Sequence, residues 1–363
     1  MAGANRTYNF CSGPAMLPEE VLLKAQSELL SYQGCGMSVM SLSHRSDAFL
    51  SILSQAENRL RSLLNIPDHY HVLFTQGGAS AQFASIPLNL MQPGKPGGYL
   101  DSGYWAQKAI AEAERYGPVK VVASAAESNY SRALLNGEYS VGAKLSYLHY
   151  TPNETIDGVA FPDVPQSGQV PLVADMSSCI LSAPLNVADF GVIYAGAQKN
   201  IGPAGLTLVI IRDDLLERCG DRVPRLMNYA TLASQNSMAN TPPTFAIYMA
   251  NLVFEWLLEN GGIPQIEKQN QRKAELLYNA IDSSSLFTNA VEQGSRSAMN
   301  VPFSCASAEL NERFVRQAEQ AGLMNLKGHR SRGGMRASIY NAMPYSGVEA
   351  LVNFMQKFES QYV

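Results

Sequence analysis

The chain has 363 residues, 46% of them apolar and 16% charged, which is long enough for a substantial core and too apolar for a disordered chain. Twenty-seven basic against 31 acidic side chains leave a formal charge of −4, no footprint for nucleic acid or an anionic membrane, so any anion must be met by a local site. Cys11, Cys35, Cys179, Cys219 and Cys305 are odd in number and scattered without a C-x-x-C pair, which argues against a disulfide framework and a metal site.

Two amphipathic helices are predicted first, over 19–32 and 46–64, from apolar residues recurring at helical spacing. From about 70 to 212, short β-branched runs at 71–75, 98–101, 119–122, 145–149, 171–175, 191–194 and 206–211 alternate with amphipathic stretches, including one at 104–116. That alternation predicts an α/β fold with a mostly parallel sheet flanked by helices. Helices follow at 245–259 and 266–280, separated by Glu259-Asn-Gly-Gly-Ile-Pro264, where Gly-Gly and then Pro mark a break and a candidate hinge. Strands near 300–303 and 336–339 with helices at 308–321 and 346–359 then predict a smaller α+β domain. The start MAGANRTYNF lacks a basic segment followed by an apolar run, and the apolar stretch 247–258 is interrupted by Asn251 and Glu255. A cytoplasmic protein without a membrane segment is expected.

Ligands of open α/β sheets bind outside the carboxyl ends of the strands, so the polar residues that follow each run are the candidates. Gln76-Gly-Gly-Ala-Ser80 leads from a strand into a helical pattern beginning at Ala81. It reads either as a phosphate cradle, with glycine amides and Ser80 at a helix N-terminus, or as a tight turn with Ser80 as N-cap. Asp175 closes another buried run; a protonated ring nitrogen would partner it, and so would an N-cap or a structural salt bridge. Lys199 stands among small uncharged residues after a third run, where desolvation would lower its pKa toward nucleophilic use; the alternative is a surface lysine. Cradle, ring-nitrogen carboxylate and desolvated lysine together match the three needs of pyridoxal phosphate.

The stretches Asn9-Phe-Cys-Ser-Gly-Pro-Ala-Met-Leu-Pro18, Met40-Ser-Leu-Ser-His-Arg45, Asn153-Glu-Thr-Ile-Asp-Gly158, Ala174-Asp-Met-Ser-Ser178, Ala197-Gln-Lys-Asn200, Asn240-Thr-Pro-Pro-Thr244 and Gly328-His-Arg-Ser-Arg-Gly-Gly-Met-Arg336 carry a family likeness. They resemble the phosphoserine aminotransferase family, class V aminotransferases among the fold-type I pyridoxal-phosphate enzymes. The resemblance implies a large cofactor-binding domain over 16–261 and a small domain made of 1–15 with 262–363. It implies pyridoxal 5'-phosphate as cofactor, with Lys199 as the lysine of the aldimine, Asp175 on the pyridinium nitrogen, Trp105 stacked on the ring and Thr155 beside the phenolic oxygen. Read without it, Trp105 is a core aromatic and Thr155 a turn former. Ala79, Ser80 and Gln198 match the phosphate contacts, and Asn240 and Thr241 are expected to reach that phosphate from a second subunit, which implies a homodimer.

The paired motifs His44-Arg45 and His329-Arg330, followed by Arg332 and Arg336, concentrate cationic groups in glycine- and serine-containing loops, as a receptor for a multiply charged small anion would. Under the resemblance Arg336 clamps the substrate α-carboxylate. His44, Arg45, His329 and Arg330 hold the phosphate of phosphoserine and 3-phosphohydroxypyruvate or the distal carboxylate of glutamate and 2-oxoglutarate, some from the partner chain. Arg332 stands where the family pattern has an uncharged residue, and it is expected either to widen the positive field or to face water. Serine biosynthesis is the implied role, with 4-phosphohydroxythreonine of pyridoxine biosynthesis as a further substrate. A class V aminotransferase of alanine or glyoxylate, or a cofactor-carrying protein without turnover, are the rival expectations.

Overall fold

The computed structural model describes residues 6–362; residues 1–5 and Val363, part of the expected small domain, lie outside the described residues. Each of the seven predicted runs becomes a strand of one sheet. They are β1 (Tyr70–Gln76), β2 (Gly97–Asp101), β3 (Val119–Ser124), β4 (Tyr147–Tyr150), β5 (Leu172–Asp175), β6 (Val192–Gly196) and β7 (Leu206–Arg212). The spatial order is β1-β7-β6-β5-β4-β2-β3. All pairings are parallel except those of β7, which runs antiparallel to both β1 and β6. The reason is length: the link 197–205 is too short for the crossover a parallel neighbour needs, so the chain returns as a hairpin.

Apart from the half-exposed edge strand β3, the sheet is buried on both faces, so its strands are apolar at successive positions rather than alternately polar. Phe74, Ala174, Ile193 and Leu208 join one cluster with helices α1 (Glu19–Glu28) and α2 (Asp47–Leu64). Leu73, Val173, Tyr194 and Val209 face the opposite cluster, with α3 (Gly78–Leu90) and α4 (Tyr104–Ala113). Helix α5 (Thr244–Glu259) adds to the first cluster, and α6 (Gly262–Asp282) follows almost at once. Gly261 turns the chain at φ +87°, and Pro264 falls in the first turn of α6, where its missing N–H has no carbonyl to lose. Helix α6 therefore starts four residues before the predicted 266.

The residues from 262 onward build a separate core. An antiparallel sheet of β8 (Phe287–Thr288), β9 (Asn300–Cys305) and β10 (Met335–Ser338) packs with α6, α7 (Ala308–Gln320) and α8 (Tyr345–Glu359). Phe10 joins this core, and Tyr8–Asn9 pairs with Leu323–Met324. Among the described residues no helix is long and apolar enough to cross a membrane.

Candidate active site

The parallel strands end on one edge, and there a cavity of about 310 Å³ opens, lined from the ends of β1, β5 and β6. Leaving β1, Gly77 adopts φ +101°, where an added Cβ would come within 2.6 Å of the Ala81 Cβ, so only glycine makes this turn without strain. Helix α3 begins directly after it, three residues earlier than the sequence pattern indicated. Gly77 is thus the N-cap, and Ala79 and Ser80 lie in the first helical turn, correcting the N-cap reading of Ser80. First-turn amides lack intrahelical acceptors, and the helix dipole adds partial positive charge where they face the cavity. Space beside the Gly78 Cα is open to 4 Å.

Asp175 is the last residue of β5 and is buried. Its Oδ1 accepts from the Ser177 amide at 3.0 Å and the Ser177 hydroxyl at 2.5 Å, and the Ser177 Oγ in turn accepts from Gly196 N at 3.0 Å. Burial pushes the Asp175 carboxyl above its ordinary range, while the Ser177 hydroxyl and the Lys199 charge pull against it. Lys199 follows β6 and lines the cavity, its Nζ donating to the Thr155 hydroxyl at 2.5 Å and lying 6.0 Å from the centre of the Trp105 ring. Burial lowers the Lys199 amine to about 8, and the Asp175 charge opposes that shift.

Trp105 is in the first turn of α4, whose N-terminus is held by two carboxylates from the 154–157 turn. Glu154 accepts from the amides of Trp105 at 3.0 Å and Ala106 at 2.9 Å; Asp157 Oδ2 accepts from Tyr104 N at 3.1 Å. Burial pushes the Glu154 carboxyl up to about 8 despite its two amide donors. The same turn carries Thr155, so ring and hydroxyl are set by one local structure. Trp105 Nε1 and Thr151 Oγ1, both in residues lining the cavity, are buried with no hydrogen-bond partner.

Arg336 reaches this edge from β10. Its Nη2 donates to Ser12 Oγ at 2.7 Å and its Nη1 to the Thr155 carbonyl at 3.4 Å, while Nε is buried and unpaired. His329 lies with its ring 5.1 Å from that of Tyr104 and its Nδ1 2.7 Å from Ser331 Oγ; Arg330 beside it is exposed. Burial, then the charges of Arg336 and Arg330, lower the His329 pKa.

The fold therefore gathers Ala79, Ser80, Trp105, Thr155, Asp175, Gln198 and Lys199 around one cavity. Arg336 touches it through Thr155. Asn240 and Thr241 are exposed outside it, taking hydrogen bonds from Gln76 Nε2 at 3.3 and 3.4 Å. His44 and Arg45 sit in the turn before α2, also outside it. Sequence reasoning missed Ser177, although an Asp-x-Ser at a strand end is a detectable Asx-type signal. It also missed Glu154 and Asp157, for which no local signal exists because the helix they cap lies about fifty residues earlier. Arg332 stays partly exposed, and its charge is not free to widen the field: its Nε is 2.6 Å from Asp157 Oδ1.

The chain matches the family described as aminotransferase class-V over residues 7–351. A phosphoserine aminotransferase of Hahella chejuensis is 54% identical over 355 residues, 98% of each chain. The solved phosphoserine aminotransferase of Bacillus circulans subsp. alkalophilus is 47% identical with a TM-score of 0.98, covering 99% of this chain and 100% of that one. The pyridoxal-phosphate-bound phosphoserine aminotransferase of Trichomonas vaginalis is 40% identical with a TM-score of 0.92, covering 97% of this chain and 100% of that one. The chain belongs to the class V aminotransferases and, within them, to the phosphoserine aminotransferase family.

Proposed function

We propose that the protein is a pyridoxal-5'-phosphate-dependent aminotransferase that moves the amino group of glutamate to 3-phosphohydroxypyruvate, yielding 2-oxoglutarate and 3-phosphoserine for serine biosynthesis. The observation that carries this reading is that a half-buried amine, Lys199, and a buried carboxylate, Asp175, line one cavity together with the N-terminus of α3. The residues fit the cofactor. The α3 amides with Ala79, Ser80 and Gln198 would hold its phosphate, Asp175 its ring nitrogen, Trp105 its ring face and Thr155 its phenolic oxygen. Bound there, the group supplies an electron sink for the pair left when a substrate Cα–H bond breaks.

The chain's own residues do the rest. Asp175, kept from water and supplied with two donors by Ser177, holds a proton at the ring nitrogen. Lys199 Nζ, lowered to about 8, has a free-base fraction near neutral pH and can take the α-proton and return it. Arg336, with one nitrogen unpaired and desolvated, binds the α-carboxylate. His44, Arg45, His329 and Arg330 bind the second anion of either substrate, and 4-phosphohydroxythreonine presents the same two ends.

A homodimer completes the site in this reading. Asn240, Thr241, His44 and Arg45 lie outside the cavity of their own protomer, and exposed Leu30, Met37 and Met40 approach the His44-Arg45 turn in sequence. A second copy would cover these apolar side chains and bring the four polar ones to its neighbour's site. The division into a large domain over 16–261 and a small domain of 1–15 with 262–363 is supported by the separate core around α6, α7 and α8. Five free thiols support a cytoplasmic setting.

The test is 2-oxoglutarate formation from glutamate and 3-phosphohydroxypyruvate by the reconstituted protein, with Lys199→Ala as control. Turnover that is lost in the folded variant is expected. Alanine and glyoxylate serving as well as the phosphorylated pair would overturn the assignment of substrate.

A further inference from the structure

The turn over residues 328–334 is closed on itself. The His329 carbonyl accepts from Arg332 N at 3.0 Å and Gly333 N at 2.8 Å, and Gly328 N donates to the Gly334 carbonyl at 2.9 Å. The turn is thus held together by its own backbone, and what ties it to the sheet of β1–β7 are side chains. Arg332 supplies most of these ties. Its Nε pairs with Asp157, its Nη1 donates to Asn129 Oδ1 at 3.1 Å and its Nη2 to the Asn129 carbonyl at 3.3 Å, with Tyr130 beneath the guanidinium at 5.7 Å. Asp157 is nearly sealed from solvent, its side chain 2% exposed, against 34% for Arg332. The other oxygen of Asp157 caps α4 at Tyr104, the residue whose ring meets His329 and whose neighbour Trp105 lines the cavity.

We propose that Arg332 is a positioning residue whose pairing with Asp157 locks the 328–334 turn to the first turn of α4, holding His329 against Tyr104, with Arg330 beside it, for the substrate's side-chain anion. The inference rests on the reading of His329 and Arg330 given above. Arg332 does not itself bind substrate, because its charge is neutralised by Asp157 and its two terminal nitrogens are engaged by Asn129. It acts on the fraction of molecules whose turn is docked, and apparent affinity scales with that fraction. Chemistry at the α-carbon does not depend on it.

Steady-state and half-reaction kinetics of the holoenzyme test this. In Arg332→Leu, KM for phosphoserine and glutamate rises roughly tenfold, kcat stays within about twofold, and the half-reaction with alanine, which lacks a side-chain anion, is unchanged. Arg332→Lys restores part of the loss, since an ammonium can pair with Asp157 but not span to Asn129 as well. Arg332→Leu leaves a buried carboxylate unpaired, so Arg332→Leu combined with Asp157→Asn is the second variant. Its amide oxygen can still cap Tyr104, and the same rise in KM is expected with a thermal midpoint near that of the parent. Arg330→Ala measured alongside separates the two levels. A raised KM in Arg330→Ala with unchanged KM in Arg332→Leu and in its combination with Asp157→Asn overturns the lock alone. Unchanged KM in Arg330→Ala overturns the anion reading of the turn and the lock with it. An equal loss with alanine, or a loss confined to kcat, also overturns the lock.

Discussion

Lys199 and Thr155 are 44 residues apart in the chain and meet across the cavity, the lysine Nζ donating to the threonine hydroxyl at 2.5 Å. One residue leaves a strand of the sheet; the other belongs to the turn that caps α4. Their contact joins the reactive amine to the element that carries Trp105, so the amine, the hydroxyl and the indole ring are positioned together.

The lowered amine of Lys199 sets a pH dependence. Only the neutral amine attacks an aldehyde, and burial brings its pKa to about 8 from the ordinary 10.5, so the neutral form dominates above about pH 8. Capture of pyridoxal phosphate by the cofactor-free protein, followed by absorbance, is expected to accelerate with pH and level off above that point. Asp175→Asn removes the charge that favours the ammonium, so its midpoint falls to lower pH. Its transamination rate is expected to drop by roughly a hundredfold or more, since the ring-nitrogen charge is lost.

Ser177→Ala removes two hydrogen bonds at once, the hydroxyl donation to Asp175 and the acceptance from Gly196 N. Leaving those buried partners short costs about 1–3 kcal/mol, measurable by denaturant unfolding. Turnover is expected to fall as well, because Asp175 loses a donor that stabilises its charged form.

Gly77→Ala places a Cβ within 2.6 Å of the Ala81 Cβ on a residue at φ +101°. Such backbone strain costs on the order of 1–3 kcal/mol. Because the strain falls at the start of α3, the expected readout is faster loss of cofactor during dialysis, ahead of any change in overall fold seen by circular dichroism.

Lys273 lies in the other core, where its buried ammonium donates to the carbonyls of Ile339 at 3.1 Å, Tyr340 at 2.7 Å and Met343 at 3.0 Å. It closes the segment between β10 and α8. Lys273→Met would strand three acceptors and is expected to cost about 3 kcal/mol of stability. Since Lys273 does not line the cavity, kcat of the folded fraction is expected to hold; a large fall in kcat at full folding would contradict this.

Much of this architecture was legible in advance. The seven β-branched runs, the break at Gly261-Gly262 and the four C-terminal elements all appear, with ends shifted by a few residues. Helix ends moved where a cap overrode the apolar pattern, as at Gly77, or where proline was admitted to a first turn, as at Pro264. The cavity residues that end strands, Asp175 above all, were visible because a carboxylate or amine closing an apolar run is anomalous by itself. Ser177 was overlooked although its signal was present.

What the sequence by itself determined is therefore the local part. The spacing of apolar side chains selects strand or helix because burial follows the period of the backbone, and a charged residue at the end of a buried run identifies the working edge of the sheet. Tertiary structure alone decided the partnerships: Glu154 and Asp157 on the amides of α4, Arg332 on Asp157, and Arg336 against Ser12. Those pairs are separated by tens to hundreds of residues. Which donor meets which acceptor depends on how the connections bring distant segments to one edge, and desolvation there penalises any buried charge left without its partner.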